Sequence, residues 1–215
     1  MKFVTEKVKI VESLQNAAAV AERRQTIPIL ANLRLKIIDG RLEVTATDLE
    51  IQIKTFSDLL EIKEEGETTV SARKMSELCR SLPDNENVEF SLDSGKLSVS
   101  SRNFNADFAT ISSDDFPEIE INEEQIPISI DSAKFKRVLS KTSFSMASQD
   151  VRYYLNGMLL EIGAGKINGV ATDGHRLAFS SVEAASTELE TRNILPRKAV
   201  LELAKLLSSN DESIE

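Results

Sequence analysis

The sequence predicts an α+β fold in which one β-rich domain occurs twice, each copy having two helices packed on antiparallel sheets. The first observation behind this prediction is an internal repeat, because residues 30–48 align without a gap with residues 155–173, 125 positions later. The second is that each copy combines two helical patterns with short alternating runs and hairpin turns. A period of this length is that of a domain and not of a solenoid repeat.

The aligned residues are mostly apolar and keep their order through the repeat. They pair Leu30 with Leu155, Leu33 with Met158, Leu35 with Leu160, Ile37 with Ile162, Gly40 with Gly165, Leu42 with Ile167, and Ala46-Thr47-Asp48 with Ala171-Thr172-Asp173. Within one residue, the same offset also aligns Arg73-Lys74 with Arg197-Lys198. The chain therefore carries two copies of one domain plan.

The first domain is predicted to span residues 1–124 and the second residues 125–215, with an acidic, proline-flanked linker from Asp114 to Gln125. The second copy ends at the position equivalent to residue 90, so it lacks counterparts of residues 91–124. A domain that ended there would leave an open sheet edge, which natural proteins usually cover or shorten. We therefore expect a truncated second repeat and a longer parent gene product; the alternative is a shorter second domain that closes differently.

The elements of the first domain follow from periodicity and turn signals. We predict helices over residues 7–24 and 72–82, the second ended by Pro83, and strands over 2–6, 33–38, 42–46, 51–55, 66–71, 88–92, 96–101 and 105–111. Asp39-Gly40 is a hairpin turn signal between two of these strands.

The second domain repeats this plan over its shorter length. We predict helices over residues 131–148 and 196–208, and strands over 126–130, 158–162, 166–171 and 177–182. Pro196 is expected in the first turn of the last helix, where its missing N–H costs no hydrogen bond. Gly163-Ala164-Gly165-Lys166 does not have the spacing of a phosphate-binding loop, so it is predicted to be a hairpin turn.

The composition narrows the class of protein. Hydrophobic residues make up 41% of the chain, which is typical of a globular protein. No apolar run reaches the roughly 18 residues that span a membrane, and the N-terminus does not resemble a signal peptide. The single cysteine, Cys79, cannot form an internal disulfide. These features predict a cytoplasmic protein without a membrane partner.

Charge is unevenly distributed along the chain. The formal net charge is −9, but the four predicted helical segments contain 14 Lys or Arg and 5 Asp or Glu, a balance of +9. The remaining residues contain 12 basic and 30 acidic side chains, a balance of −18. Positive charge on helices favours contact with a nucleic-acid backbone, whereas the alternative is that these charges only solvate exposed helix faces.

Residues that carry catalysis or bind metal are scarce. His175 is the only histidine and Cys79 the only cysteine, so a zinc site is excluded. Cys79 lies in a helical pattern, where a cysteine is more often a core residue than a nucleophile. The carboxylates form runs typical of a solvated surface and not acid–base pairs. We therefore expect a non-catalytic protein with no cofactor and no metal.

Two stretches are candidate binding surfaces. Arg23-Arg24 and residues 149–154 each follow the first helix of their domain, and their cations and tyrosines could contact phosphates and stack on bases. In the first domain, the residues equivalent to the stretch 171–177 are interpreted as a plain strand exit. In the second domain, the stretch contains Gly, His and Arg instead. It is either a polar turn whose aspartate accepts local N–H groups or the rim of a partner groove beside Leu155 and Leu177.

Specific sequence motifs resemble a known family. The motifs are Gln149-Asp150-Val151-Arg152-Tyr153-Tyr154-Leu155-Asn156-Gly157-Met158, Val170-Ala171-Thr172-Asp173-Gly174-His175-Arg176-Leu177-Ala178, Thr26-Ile27-Pro28-Ile29-Leu30-Ala31-Asn32, Thr47-Asp48-Leu49-Glu50 and Pro196-Arg197-Lys198. Together they closely resemble the bacterial sliding clamps, the β subunits of DNA polymerase III. The resemblance extends over the whole chain, from Met1 to Glu215.

The resemblance implies a fold and a function. Members of the family have three such domains, and two chains join head to tail into a homodimeric ring with helices lining the hole. The ring encircles double-stranded DNA and tethers the replicative DNA polymerase subunit, so it acts as a processivity factor without catalytic activity of its own. An ATP-dependent clamp loader places it on DNA, and other polymerases and repair proteins bind it through short peptides.

The resemblance also implies roles for individual residues. Those expected to contact DNA are Arg24, Arg73, Gln149, Tyr153, Tyr154, Arg197 and Lys198. Those expected to line a pocket for peptides with a glutamine followed by hydrophobic residues are Arg152, Leu155, Thr172, Gly174, His175, Arg176 and Leu177. Those expected at the ring interface are Lys74, Asn103, Ala106 and Phe108, although Asn103-Phe104-Asn105 departs from the family pattern.

The absent third domain is the main departure from the family. There it supplies the other half of each ring interface and the other wall of the peptide pocket. By itself, this chain is therefore expected not to close a ring and to bind partner peptides poorly.

Overall fold

The computed structural model describes residues 1–21, 27–119, 128–184, 190–207 and 213–214. They form two compact units, Met1–Glu120 (unit one) and Ile121–Glu215 (unit two). The expected domain boundary at residues 124 and 125 lies outside the described residues. In the described ranges, no helix is both long and apolar enough to cross a membrane.

Unit one is an antiparallel sheet structure with two helices. Its helices are α1 Lys7–Val20 and α2 Ala72–Ser81, and its strands are β1 Lys2–Glu6, β2 Asn32–Ile38, β3 Arg41–Thr47, β4 Gln52–Asp58, β5 Glu61–Glu64, β6 Glu67–Ser71, β7 Asn87–Asp93, β8 Lys96–Ser101 and β9 Phe104–Ile111. The strand order is β4-β3-β2-β6-β9-β8-β7-β1-β5. The α1 helix packs on β3 and β4, and α2 packs on α1, β2 and β6.

Unit two has the same arrangement on a smaller scale. Its helices are α3 Ser132–Thr142 and α4 Arg197–Leu206, and its strands are β10 Ile130–Asp131, β11 Gly157–Gly163, β12 Lys166–Thr172, β13 Leu177–Glu183, β14 Thr191–Pro196 and β15 Ser213–Ile214. The order β13-β12-β11-β14 repeats β4-β3-β2-β6, and the pair β10-β15 repeats β1-β7. The α3 helix packs on β12 and β13, and α4 packs on α3, β11 and β14.

The sheet registers confirm the internal repeat. Ile38 pairs with Arg41 as Gly163 pairs with Lys166, which is an offset of 125 on both strands. The same offset relates the other two ladders of the four-stranded sheets. It also relates the first residues of α2 and α4, so Arg73 corresponds to Lys198. The sequence alignment of Arg73-Lys74 with Arg197-Lys198, made within one residue, differs from this structural register by one position.

The core of each unit is built from alternating strand residues. Leu33 and Leu35 on β2 and Val44 on β3 are fully buried on the face that the helices cover. Burying such a side chain stabilises the fold by roughly 1.5–3 kcal/mol. The two central strands are joined at Asp39 and Gly40, which both have positive φ, so the predicted hairpin forms a type I′ turn.

Several element boundaries differ from the predictions. The α1 helix ends at Val20, because Ala21 has the non-helical dihedral angles φ −55° and ψ 132°, and α3 ends at Thr142 instead of residue 148. The Thr142 hydroxyl donates to the Val138 carbonyl, and Ser143–Ser145 tightens into a 3-10 turn, because Ser and Thr side chains compete for backbone groups. Pro196 ends β14 and caps α4 instead of lying within its first turn. The strands β5, β14 and β15 were not predicted.

Candidate functional site

The stretch Thr172–Leu177 of unit two is a tightly bonded polar turn between β12 and β13. The Thr172 hydroxyl donates to the Arg176 carbonyl at 2.8 Å and accepts the Gly174 N–H at 3.1 Å. The Asp173 carboxylate accepts the N–H groups of the residues two and three positions later, at 3.0 Å each. These bonds, together with the Arg176 side chain, lower the pKa of Asp173 and fix the turn.

Unit one contains the same turn, so its expected plain strand exit is wrong. Thr47 and Asp48 make the hydrogen bonds that their counterparts make in unit two. Leu49 has φ +78° and Gly174 has φ +88°, so the backbone is left-handed in both copies. The interpretation as a polar turn whose aspartate accepts local N–H groups is therefore confirmed. The two copies share this backbone and differ in the side chains on the turn.

The loop that precedes β11 is held by an aspartate. Asp150 accepts two hydrogen bonds from the Arg152 side chain, at 3.0 and 2.9 Å, and one from its backbone N–H at 2.8 Å. The side chain of Asn156 bonds both backbone groups of Asp150. The Arg152 hydrogen bonds lower the pKa of Asp150 to about 2, so this pair stays ionised near neutral pH.

The structure brings together most of the residues expected in the peptide pocket. A Cβ added at Gly174 would lie 3.3 Å from Nη2 of Arg152, so the loop and the turn touch. Leu155 is buried beneath the loop, whereas His175 and Arg176 are exposed on the turn. The Arg176 guanidinium lies 5.7 Å from the ring centroid of Phe144. Leu177 begins β13, paired with Thr172 and two-thirds exposed.

An apolar row beside these residues was missed from the sequence. Cross-strand pairs connect Ile194 to Leu159, Leu159 to Val170, and Val170 to Phe179, so all four side chains share the sheet face opposite the helices. Phe179 is 61% exposed and Ile194 49% exposed. In the sequence, the alternation of Leu177 with Phe179 along β13 could have indicated this row. The row extends the candidate pocket across the sheet.

The residues of unit two expected to contact DNA cluster where the loop meets the start of α4. The backbone N–H of Arg197 donates to the Asn156 carbonyl at 2.9 Å. Gln149, Tyr153 and Tyr154 are exposed on the loop, and the two tyrosine rings meet edge to face at 5.9 Å. Arg197 is half-buried and also donates to the Met146 carbonyl, whereas Lys198 follows it in the first helical turn.

The helices of the structure, like the predicted helical segments, carry more basic than acidic residues. The spans of α1 to α4 contain 12 Lys or Arg and 3 Asp or Glu. Lys134, Arg137 and Lys141 are exposed along α3 at spacings of three and four residues, which places them on one face. On α2, Arg73 is exposed and forms an ion pair with Glu77 at 2.9 Å. The candidate Arg24 lies outside the described residues.

The residues expected at the ring interface lie on α2, in the turn before β9 and on β9 itself, which is the middle strand of the sheet order. Lys74 is exposed, and Asn103 lies in the turn that precedes β9. Within the described residues, β9 pairs with β6 only near Ile111, so one edge of residues 104–109 carries unpaired backbone groups. Ala106 and Phe108 pair with buried β8 residues, so their side chains face the core. They can therefore contact a partner strand only through their backbone groups.

The residues considered for catalysis have other roles. Cys79 is fully buried, and burial raises the pKa of its thiol to about 12, as expected for a core residue. His175 is exposed, and its backbone N–H donates to the Asp173 carboxylate. Phe135 and Leu139 lie in the core of unit two and pack α3 against it.

Comparisons with known proteins agree with this geometry. The family model of the DNA polymerase III beta subunit N-terminal domain matches residues 1–120, and that of its central domain matches residues 129–215. A beta sliding clamp from Pseudomonas aeruginosa is 40% identical over all of this chain and 59% of its own length. One from Escherichia coli K12 is 38% identical, over 100% of this chain and 58% of its own length.

Solved clamp structures superpose closely on the chain. A crystal structure of a DnaN sliding clamp from Pseudomonas aeruginosa bound to griselimycin gives a TM-score of 0.93 at 41% identity, covering 99% of this chain and 58% of that one. A sliding clamp from Caulobacter crescentus gives 0.92 at 32% identity, covering 99% and 59%. The chain thus spans a little under three-fifths of the relatives it matches. The two domain matches show that it belongs to the DNA polymerase III beta subunit family, the bacterial sliding clamps.

Proposed function

We propose that a three-domain protein containing this chain is a processivity factor of DNA replication, which encircles double-stranded DNA as a homodimeric ring. The observation that carries the proposal is that a basic pair of helices recurs, at one fixed offset, in both units of a repeated domain. Repetition of a domain provides the means of building a closed ring. Basic helices provide the surface that would face phosphates.

The charge pattern suits sliding better than tight binding. Exposed cations such as Lys134, Arg137 and Lys141 attract phosphates without reading bases, and salt weakens this attraction. The acidic remainder of the chain discourages DNA from binding elsewhere. In a closed ring, topology provides retention, so the contacts themselves can stay weak. Gln149, Tyr153, Tyr154, Lys198 and Arg73 are proposed to make these contacts.

The candidate pocket of unit two is proposed to receive short partner peptides with a glutamine followed by hydrophobic residues. The exposed Leu177 offers apolar contact and Leu155 is a buried apolar residue of the pocket, while Arg152 and the Thr172–Arg176 turn offer a fixed polar rim. An apolar anchor in such a pocket supplies most of the binding energy of a short peptide. Through it the protein would tether the replicative polymerase subunit, other polymerases and repair proteins, and contact the ATP-dependent clamp loader.

The unpaired edge of β9 is proposed to join a partner chain by strand addition, and Lys74 and Asn103 are proposed to belong to the same interface. Strand addition satisfies backbone groups that would otherwise remain open. The protein would act in the cytoplasm as a non-catalytic subunit of a DNA-directed DNA polymerase complex, with no cofactor.

Primer extension by the cognate polymerase tests this function. The three-domain protein, its loader and ATP are added to a long primed template, and the product length per binding event is measured. We expect long products with the unaltered protein and shorter ones with Arg137→Glu plus Lys141→Glu. Glu183→Lys, at the end of β13, is the matched charge-altering control. Unchanged product length with the α3 variant would favour an interaction scaffold that does not use DNA.

A further inference from the structure

The loop that precedes β11 carries residues of both proposed sites of unit two but has no strand ladder of its own. Arg152 belongs to the candidate pocket, and Tyr153 is one of the residues proposed to contact DNA. Gln149 has φ +60°, which is uncommon for a residue other than glycine. Residues 149–152 lie outside helices and strands, and a 3-10 turn follows at Tyr153–Leu155. The position of such a loop depends on side-chain hydrogen bonds, because its backbone groups have no regular partners.

The side chain of Asn156 closes this loop. Its Oδ1 atom accepts the Asp150 N–H at 2.9 Å, and its Nδ2 atom donates to the Asp150 carbonyl at 2.8 Å. The amide thus satisfies both backbone groups of one residue, as a neighbouring antiparallel strand would. Asn156 is half-buried, so these hydrogen bonds are partly shielded from water.

The backbone of Asn156 joins the loop to two further elements. Its N–H donates to the Tyr153 carbonyl at 3.0 Å at the end of the 3-10 turn. Its carbonyl accepts the N–H of Arg197, the first residue of α4, at 2.9 Å. These backbone bonds do not require a particular side chain, whereas the two bonds to Asp150 require an amide.

A series of contacts leads from Asn156 to the rim of the candidate pocket. Asp150, which the amide fixes, accepts hydrogen bonds of 3.0 and 2.9 Å from the Arg152 guanidinium. That guanidinium lies against Gly174 of the turn, with Nη2 3.3 Å from the position of an added Cβ. Asn156 is not among the residues expected to touch a peptide or DNA, so its effect on the pocket is indirect.

The internal repeat provides a comparison within the same chain. With the offset of 125, Asn156 corresponds to Ala31, which ends the 3-10 turn Pro28–Ala31 of unit one and has no amide. Leu155 corresponds to Leu30, and both leucines are buried. The two copies therefore keep the apolar residue and differ at the next position. The amide occurs in the unit for which a peptide pocket is proposed.

We propose that Asn156 is a positioning residue of the partner-peptide pocket, which fixes Asp150 and through it keeps Arg152 at the rim. The amide makes no contact with the peptide, but it limits the positions that the Arg152 guanidinium takes before a peptide binds. Pre-organisation of this kind increases affinity, because less conformational entropy is lost on binding. The hydrogen bonds stand on the geometry, whereas their effect on peptide affinity rests on the proposed function.

The peptide affinity of alanine variants tests the proposal. A labelled peptide with a glutamine followed by Leu and Phe residues is titrated into the three-domain protein, and fluorescence anisotropy is recorded. We expect Asn156→Ala to weaken binding at least tenfold, because both bonds to Asp150 are lost while the backbone bonds remain. Asn168→Ala is the matched control, since Asn168 is also half-buried and accepts a hydrogen bond from Ser181 on the sheet. Equal affinities for Asn156→Ala and the unaltered protein would overturn the proposal.

The pH dependence of Asn156→Asp separates positioning from a general loss of stability. The introduced carboxylate only accepts hydrogen bonds, so it cannot bond the Asp150 carbonyl, whereas its protonated form both accepts and donates as the amide does. The Asp150 carboxylate has a pKa of about 2, so it stays ionised and favours protonation of its new neighbour. The affinity of this variant relative to the unaltered protein should therefore rise as pH falls from 7.5 to 4.5.

Both proteins are measured at each pH, so that other titrating groups affect them alike, and circular dichroism checks that they are folded. Asn156→Asp has the shape of the unaltered residue and covers the case that Asn156→Ala does not fold. A relative affinity that is constant or falls in acid would overturn the proposal. A folded, unaltered protein that does not bind the peptide would contradict the proposed function, and this inference with it.

Discussion

The Arg152 guanidinium lies directly against Gly174, with Nη2 3.3 Å from the position that a Cβ on that glycine would take. The contact joins the loop that carries Tyr153 to the turn that carries His175. The same guanidinium donates hydrogen bonds to Asp150, so a carboxylate holds the arginine where it contacts the glycine. A side chain at position 174 would therefore act on the loop as well as on the turn.

Gly174→Ala should lower both stability and affinity for partner peptides. Its φ of +88° disfavours a side chain, at a cost of about 1–2 kcal/mol, and the added methyl would force the Arg152 guanidinium to shift by a few tenths of an ångström. Gly165→Ala is the matched control, because Gly165 has φ +70° and meets no side chain. Urea unfolding and peptide titration of the three-domain protein should show similar instability in both variants but weaker peptide binding only in Gly174→Ala. Equal peptide affinities would exclude a role for this contact.

Phe179→Asp should weaken peptide binding at least tenfold, which is about 1.4 kcal/mol. Phe179 is exposed in the apolar row, where a carboxylate would replace apolar contact with a group that stays hydrated. Val151→Asp provides the control, because Val151 is almost wholly exposed on the neighbouring loop. Isothermal titration with one peptide compares the two variants. If both variants lose affinity equally, the added charge explains the loss, and the apolar row does not.

The stabilisation that unit one gains from the Glu118 carboxylate should be lost in acid. Hydrogen bonds from Arg34 and Lys54 lower the pKa of Glu118 to about 2, below its ordinary value of 4.5. A carboxyl whose pKa is lower in the folded state stabilises that state above the unfolded pKa, and this contribution disappears as pH falls towards 2. The stability difference between the unaltered chain and Glu118→Gln should thus be largest above pH 5 and shrink between pH 4.5 and 2. A difference that does not change with pH would contradict the assignment.

Cys79 should report the opening of unit one. The pKa of its buried thiol is raised to about 12, so alkylation at pH 8 requires the domain to open first. Leu35→Ala removes a fully buried side chain, costs about 2–5 kcal/mol and should raise the labelling rate at least tenfold when opening is in equilibrium. Ile38→Ala, at the exposed end of the same strand, should leave it nearly unchanged. Mass spectrometry measures both rates, and equal rates would mean that the thiol reacts by local exposure.

Local signals made much of the fold predictable. Asp39-Gly40 and Gly165 specify their hairpins through backbone conformations that few other residues adopt, and the 125-residue repeat required a second domain of the same plan. In contrast, β5 has the sequence Glu-Ile-Lys-Glu, and its strand conformation comes from pairing with β1 about sixty residues away. No local pattern contains that pairing, because it depends on tertiary context.

The candidate site was predictable where motifs are continuous in sequence. Thr172–Leu177 and Arg152 lie in such motifs, and the structure places them together. Phe179 was missed because its significance depends on its neighbours across three strands. The burial of Phe116 was missed because its acidic, proline-flanked surroundings are typical of a linker, whereas its contacts come from residues more than sixty positions earlier.

Retention on DNA of different topology tests the central claim most directly. The three-domain protein is loaded with its loader and ATP onto a nicked circular DNA, and the bound fraction is measured by gel filtration before and after the circle is cut. We expect retention on the circle and loss from the linear form, because a ring can slide off an end. Equal retention on circular and linear DNA would contradict encirclement and would mean that ordinary surface contacts hold the protein on DNA.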